Sequence, residues 1–155
     1  SHVIEVKAGS TPIMWVCPSA SEFGMYVPVP QIVTLPPKVF AEGPTYYDPQ
    51  FFTWLLRDTE NVAALNRTTY ANMTQKSFAA REKELAASTN KLGMVDANAA
   101  NAFLANVASK AEDVATLVKR NLFTRFSINQ VVATEFMGRD ATLNRTSNVK
   151  NEQRK

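Results

Sequence analysis

The stretch VPVPQIVTLPPKVF, Val27 to Phe40, holds four of the chain's eight prolines, and Pro12, Pro18, Pro44 and Pro49 are the others, so none lies beyond residue 49. Each proline fixes its own φ, removes a backbone donor and pushes the preceding residue out of the helical region. Helix is therefore excluded from this stretch and extended backbone is expected. Before and within it lie three strand-prone runs: HVIEVK (His2 to Lys7), IMWVC (Ile13 to Cys17) and QIVTL (Gln31 to Leu35). These can pair as short edge strands or lie as an arm.

Beyond residue 49 the pattern becomes helical. Asp48 followed by Pro49 is a helix-start signal, an N-cap with proline at the first helical position. Phe52, Leu55, Leu56, Thr59, Val62 and Ala63 then recur at spacings of three and four, which predicts one apolar stripe on a helix ending near Leu65. A second run, about Thr69 to Lys91, carries Phe78, Leu85 and Leu92 seven apart, a narrow seam suited to another helix. Asn90 to Gly93 supply a stop and Asp96 the next cap. A third run places Phe103, Leu104, Val107, Ala111, Val114, Leu117 and Val118 on one side.

The expected fold is mainly α: a helical hairpin or small bundle over about residues 49–121 with a proline-rich extended N-terminal arm bearing short strands. It becomes α+β if Phe123 to Phe136, a mixture of aromatic and β-branched residues, forms a strand. The domain plan is an arm over 1–48, a helical core over 49–137 and a mobile basic tail over 138–155. That tail lacks apolar residues to bury.

At 155 residues and 45% hydrophobic, the chain is long enough for one domain with its own core. The formal charge of +3 belongs to Asn144 to Lys155, where Arg145, Lys150, Arg154 and Lys155 face only Glu152. That leaves thirteen basic and thirteen acidic groups in residues 1–143. The tail is a possible polyanion contact, but the balanced body argues against a nucleic-acid surface on the fold. SHVIEVKAGS shows no signal-peptide pattern, and no stretch reaches the length of a membrane span.

Catalytic chemistry finds little to work with. The one histidine, His2, sits in Ser-His, a form left by tag cleavage, and the one cysteine, Cys17, is flanked by Trp15, Val16 and Pro18, as a small buried hydrophobe would be. One Cys and one His make no zinc constellation, and the five glycines never cluster into a phosphate-binding loop. Glu82 and Glu84, and Glu112 and Asp113, read as solvated helix faces. Tyr46-Tyr47 with Phe51, Phe52 and Trp54 could stack on bases, yet the nearby charge is mostly acidic, so packing is the better reading. Asn66, Asn72 and Asn144 each begin an N-glycosylation triplet, of consequence only in a eukaryotic secretory route.

VTLPPKVF (Val33 to Phe40), followed by Tyr46 to Asn66 with its ending LNRTT, is similar in layout to the start of the periplasmic domain of TraE-like assembly components of conjugative type IV secretion systems. KRNLFTRFSINQVV, Lys119 to Val132, resembles their passage from the last long helix into a sheet. That family continues into several strands, whereas residues 133–155 are mostly polar here. The resemblance implies a non-catalytic role in an envelope-spanning channel and a periplasmic or envelope location.

The expectation is thus a non-enzymatic structural or assembly subunit, a homo-oligomer or one part of a larger complex, with no cofactor, metal or small-molecule substrate. The alternatives are a structural protein of a virus or phage particle and a nucleic-acid-binding module using the basic tail. The residues expected to meet a partner are Trp15, Tyr26, Val29, Ile32, Val39 and Phe40 in the arm, then Phe52 and Trp54. The competing reading folds these back onto the chain's own helices.

Overall fold

The computed structural model of the protein describes residues 1–41, 48 and 50–126. Three strands, β1 (His2–Glu5), β2 (Ile13–Val16) and β3 (Val27–Pro30), precede three helices, α1 (Phe52–Ala63), α2 (Arg67–Thr89) and α3 (Ala97–Phe126). Short 3-10 turns lie at Lys38–Phe40 and Ala64–Asn66. The strands form an antiparallel sheet in the order β1-β2-β3, packed against the helices, so the fold is a mostly helical α+β domain. Among the described residues its β part is the N-terminal sheet. Residues 123–126 continue α3, and residues 127–136, like the tail 138–155, lie outside the described residues.

The proline positions follow from the phase of the ladders. Gln31 N donates to Pro12 O at 3.0 Å, and the register pairs Val29 with Met14 and Val27 with Val16. Backbone groups alternate in direction along an antiparallel strand, so Val27 and Val29 turn theirs toward β2 while Tyr26, Pro28 and Pro30 turn outward. The two prolines therefore stand where no ladder bond is lost. The third strand is Val27–Pro30 and not Gln31 to Leu35. That run turns away, with Val33 N on Pro30 O at 3.1 Å and the amides of Thr34 and Leu35 both on Asn101 Oδ1 of α3, at 3.1 and 3.2 Å.

The α1 stripe is buried as its spacing predicts, with Phe52, Leu56, Thr59, Val62 and Ala63 all sealed from solvent. Its start differs. Asp48 Oδ1 accepts from Gln50 N at 2.9 Å and Asp48 O from Phe51 N at 3.1 Å, which closes a turn ahead of the helix and leaves Phe51 as N-cap. The α2 helix begins at Arg67, capped by Asn66 Oδ1 on Thr69 N. It buries Phe78 and Leu85 but ends at Thr89, so Leu92 falls in the connection. Gly93 there has φ +61, a conformation that favours glycine. Asp96 Oδ1 then accepts from Ala99 N at 2.8 Å and caps α3. On α3, Leu117 is 44% exposed, because a helix turns about 100° per residue and Val118 takes the inward position.

Residues of the first third belong to the same core as the helices. Phe23, Met25 and Val27 pack in one cluster with Leu56, Phe78 and Leu104. Burial of each such side chain is worth about 1.5–3 kcal/mol, so this segment is a structural part of the domain. Solvent exposure rises steadily across the sheet, from buried β3 through half-buried β2 to exposed β1. The sheet is thus seated on α2 and α3 by β3, and β1 overhangs. Among the described residues, no helix is long and apolar enough to cross a membrane.

Candidate protein-docking edge

The overhanging strand owes its position to a small polar frame. Ser1 N donates to Cys17 O at 3.1 Å and Cys17 N donates back to Ser1 O at 2.9 Å, which sets the phase of the β1-β2 ladder. Val3 and Glu5 consequently turn their backbone groups toward β2, while those of His2 and Ile4 face outward along an edge that no described strand pairs. Glu5 holds the far end. It accepts from Trp15 Nε1 at 3.0 Å and pairs with Lys7 Nζ at 2.5 Å, and Lys7 also donates to Asn90 Oδ1 after α2 at 2.6 Å. These partners, Lys7 first and Trp15 second, hold the Glu5 carboxyl below its ordinary pKa.

The side chains this frame carries are apolar and wet. Val3 is 57% exposed, Ile4 52% and Val6 73%. Cross-strand pairing sets Val3, Trp15 and Pro28 in one row on one face, and Ile4, Met14 and Val29 in a row on the other. Beside the first row, between the sheet and α2, opens a cavity of about 450 Å³ lined by Val3, Trp15, Tyr26, Ala79, Glu82 and Ala86 among others.

The opposite edge is closed. Tyr26 N, which faces outward, donates to Glu82 Oε1 of α2 at 2.7 Å, and the next outward positions, Pro28 and Pro30, carry no N–H. Glu82 is therefore a structural acceptor and not part of a solvated face, whereas Glu112 and Asp113 are exposed. Glu84 pairs with Arg81 at 2.5 Å.

Of the residues expected from sequence to meet a partner, Trp15 and Tyr26 line the cavity beside β1. Val29 and Phe40 line a second, apolar cavity of about 200 Å³ on the other face of the sheet, with Val27, Phe52 and Leu104. Val39 is half-buried against the core and Ile32 is 43% exposed, away from both. Phe52 is interior, with Phe40 edge-on to its ring at 5.4 Å between centroids, and Trp54 is buried with Phe51. Tyr46, Tyr47 and the basic residues Arg145, Lys150, Arg154 and Lys155 lie outside the described residues.

Sequence reasoning missed Val3, Ile4 and Val6. Their signal was present in HVIEV, where apolar residues occupy both phases of a strand, although a strand with one buried face alternates. Cys17 is buried, its Sγ 3.5 Å from Ser19 O, and burial pushes its thiol pKa up, the reverse of a reactive thiolate. Among the described residues no group of three or more His, Cys, Asp or Glu side chains could hold a metal ion. No protein-family model, curated protein or solved structure matches the chain.

Proposed function

We propose that the chain is a non-enzymatic structural subunit that docks to another protein chain by strand addition at the β1 edge. The observation that carries this reading is the pairing of an open edge at His2 and Ile4 with apolar side chains at Val3, Ile4 and Val6, each more than half exposed. Unpaired strand edges are templates for another strand, and soluble proteins ordinarily blunt them with charge, proline or a covering loop. β3 is blunted in that way, whereas among the described residues nothing pairs with or covers the outward side of His2 and Ile4, which supports a use for β1. The resemblance to TraE-like components suggests the larger complex, an envelope secretion or conjugation apparatus.

A photo-reactive amino acid placed at Val6, in the cells that make the protein, tests the reading. Leu117 serves as control because it is an exposed apolar residue, 44% accessible, in the second half of α3. Discrete cross-linked products from position 6 and none from position 117 are expected. Failure of position 6 to capture any protein overturns the reading.

A further inference from the structure

We infer that the strand received by the β1 edge is β1 of a second copy of this chain, paired antiparallel about a two-fold axis with Ile4 opposite Ile4. This rests on the reading of β1 as a docking edge and names its occupant.

The inequality of the two sheet edges points to a second copy. At β3 the outward amide of Tyr26 is taken by Glu82, and Pro28 and Pro30 have none to offer, so the sheet cannot grow there. At β1 the outward groups of His2 and Ile4 meet no partner among the described residues. A molecule with one open and one closed edge satisfies itself in a single step. Two copies joined through β1 make a six-stranded sheet whose outer strands are both β3, closed by the same Glu82 and proline arrangement. A foreign strand added at β1 would bring its own unpaired edge and leave the sheet open again.

The length of the new ladder selects the register. Only residues with outward backbone groups can pair across it, so His2, Ile4 and Val6 must face one another in some order. With Ile4 opposite Ile4, His2 faces Val6 and all three meet a partner from the same set, while Val3 faces Glu5. Sliding the pair either way leaves His2 or Val6 outside the set, and the slide that puts Ile4 opposite Val6 also sets Glu5 directly against Glu5, which is unfavourable. The chosen register also prolongs the row Ile4–Met14–Val29 into its own image and brings Val6 beside His2, so that Ile4 and Val6 of the two copies become the centre of one sheet face.

The test uses the full chain and absolute mass by light scattering, at concentrations on the order of 100 μM where even a micromolar dimer is populated. Twice the 17.2 kDa of one chain is expected. Ile4→Pro removes an outward amide while sparing the β1-β2 bonds of Val3 and Glu5, so it should give a monomer with an unchanged circular dichroism spectrum. If that variant does not fold, Ile4→Lys carries the same comparison.

A second arm places cysteine at the axis. Hydrogen-bonded antiparallel partners sit about 5.5 Å apart at Cα, within disulfide range. Ile4→Cys should therefore cross-link on mild oxidation, and Val3→Cys, which faces Glu5, should not. A monomeric wild type overturns the inference, and so does a dimer that survives Ile4→Pro and fails to cross-link through Ile4→Cys. The docking reading is decided separately: capture of a different protein from position 6 preserves it even when the second copy is excluded.

Discussion

Glu82 Oε1 accepts the backbone N–H of Tyr26 at 2.7 Å, across 56 positions of sequence. The bond fastens the outer edge of β3 to the middle of α2, and its acceptor is a side chain that sequence pattern assigns to solvent. A partly buried amide that loses its acceptor costs about 1–3 kcal/mol, more than the net worth of an average hydrogen bond. Glu82→Ala should therefore lower stability by about 2 kcal/mol in urea denaturation, while Glu82→Gln, which keeps an acceptor oxygen, should lose less than half as much. Hydrogen exchange at Tyr26 should quicken in the alanine variant. Equal stability of the two variants would show that the bond does not hold the sheet.

Gly24 is fixed by close approach. A Cβ built there would lie 2.4 Å from Cys17 Sγ and 3.0 Å from Ala20 O, and Cys17 is itself sealed in the interior. Gly24→Ala should cost about 1–3 kcal/mol, the range for overpacking a filled core. Cys17→Ala in the same chain should relieve part of it, giving a coupling of at least about 0.5 kcal/mol in a double-mutant cycle. Strict additivity would place the strain elsewhere, at Ala20 O.

Much of this fold is legible in the chain, and the misses share a cause. The α1 stripe and the Asp96 cap depend on residues a few positions apart, which periodicity detects. The strand at Val27–Pro30 escapes because prolines are read as strand breakers, and only the phase of the ladder to β2 shows that both point outward. The role of Glu82 and the exposure of Val3, Ile4 and Val6 depend on which strand sits on the helices and which overhangs. That is a tertiary relation, without a local signature. Periodicity puts Phe52 on the buried α1 stripe, whereas nothing local places Trp54 in the interior, since aromatic residues serve cores and interfaces alike.

Glu5 makes the frame of β1 sensitive to acid. Its carboxyl is held below the ordinary value by Lys7 and then Trp15, so protons bind it more tightly in the unfolded chain. The stability it adds is present above the usual glutamate pKa of about 4.3 and is lost as pH falls through the lower folded value. The Trp15 indole N–H resonance, which reports the bond to Glu5, should titrate with a midpoint below that reference, and Glu5→Gln should abolish the transition. A midpoint at or above the reference would mean that the pairing is not maintained in solution.

Lys119 and Asp58 join α3 to α1 in the interior, where Asp58 is only 5% exposed and the Lys119 ammonium also lies 5.7 Å from the centre of the Phe123 ring. Removing one member of such a pair leaves the other charge poorly solvated, whereas replacing both with apolar groups of similar size is often neutral. Lys119→Met should therefore destabilise the fold by about 2–3 kcal/mol, somewhat less than for a fully buried pair because the lysine reaches solvent at one side. At about 2–4 °C per kcal/mol for a chain of this length, the thermal midpoint should fall by roughly 5–10 °C. Adding Asp58→Leu should return most of that loss. If the double variant is no more stable than Lys119→Met alone, the carboxylate is held by its other surroundings and the pair is not what secures α1 against α3.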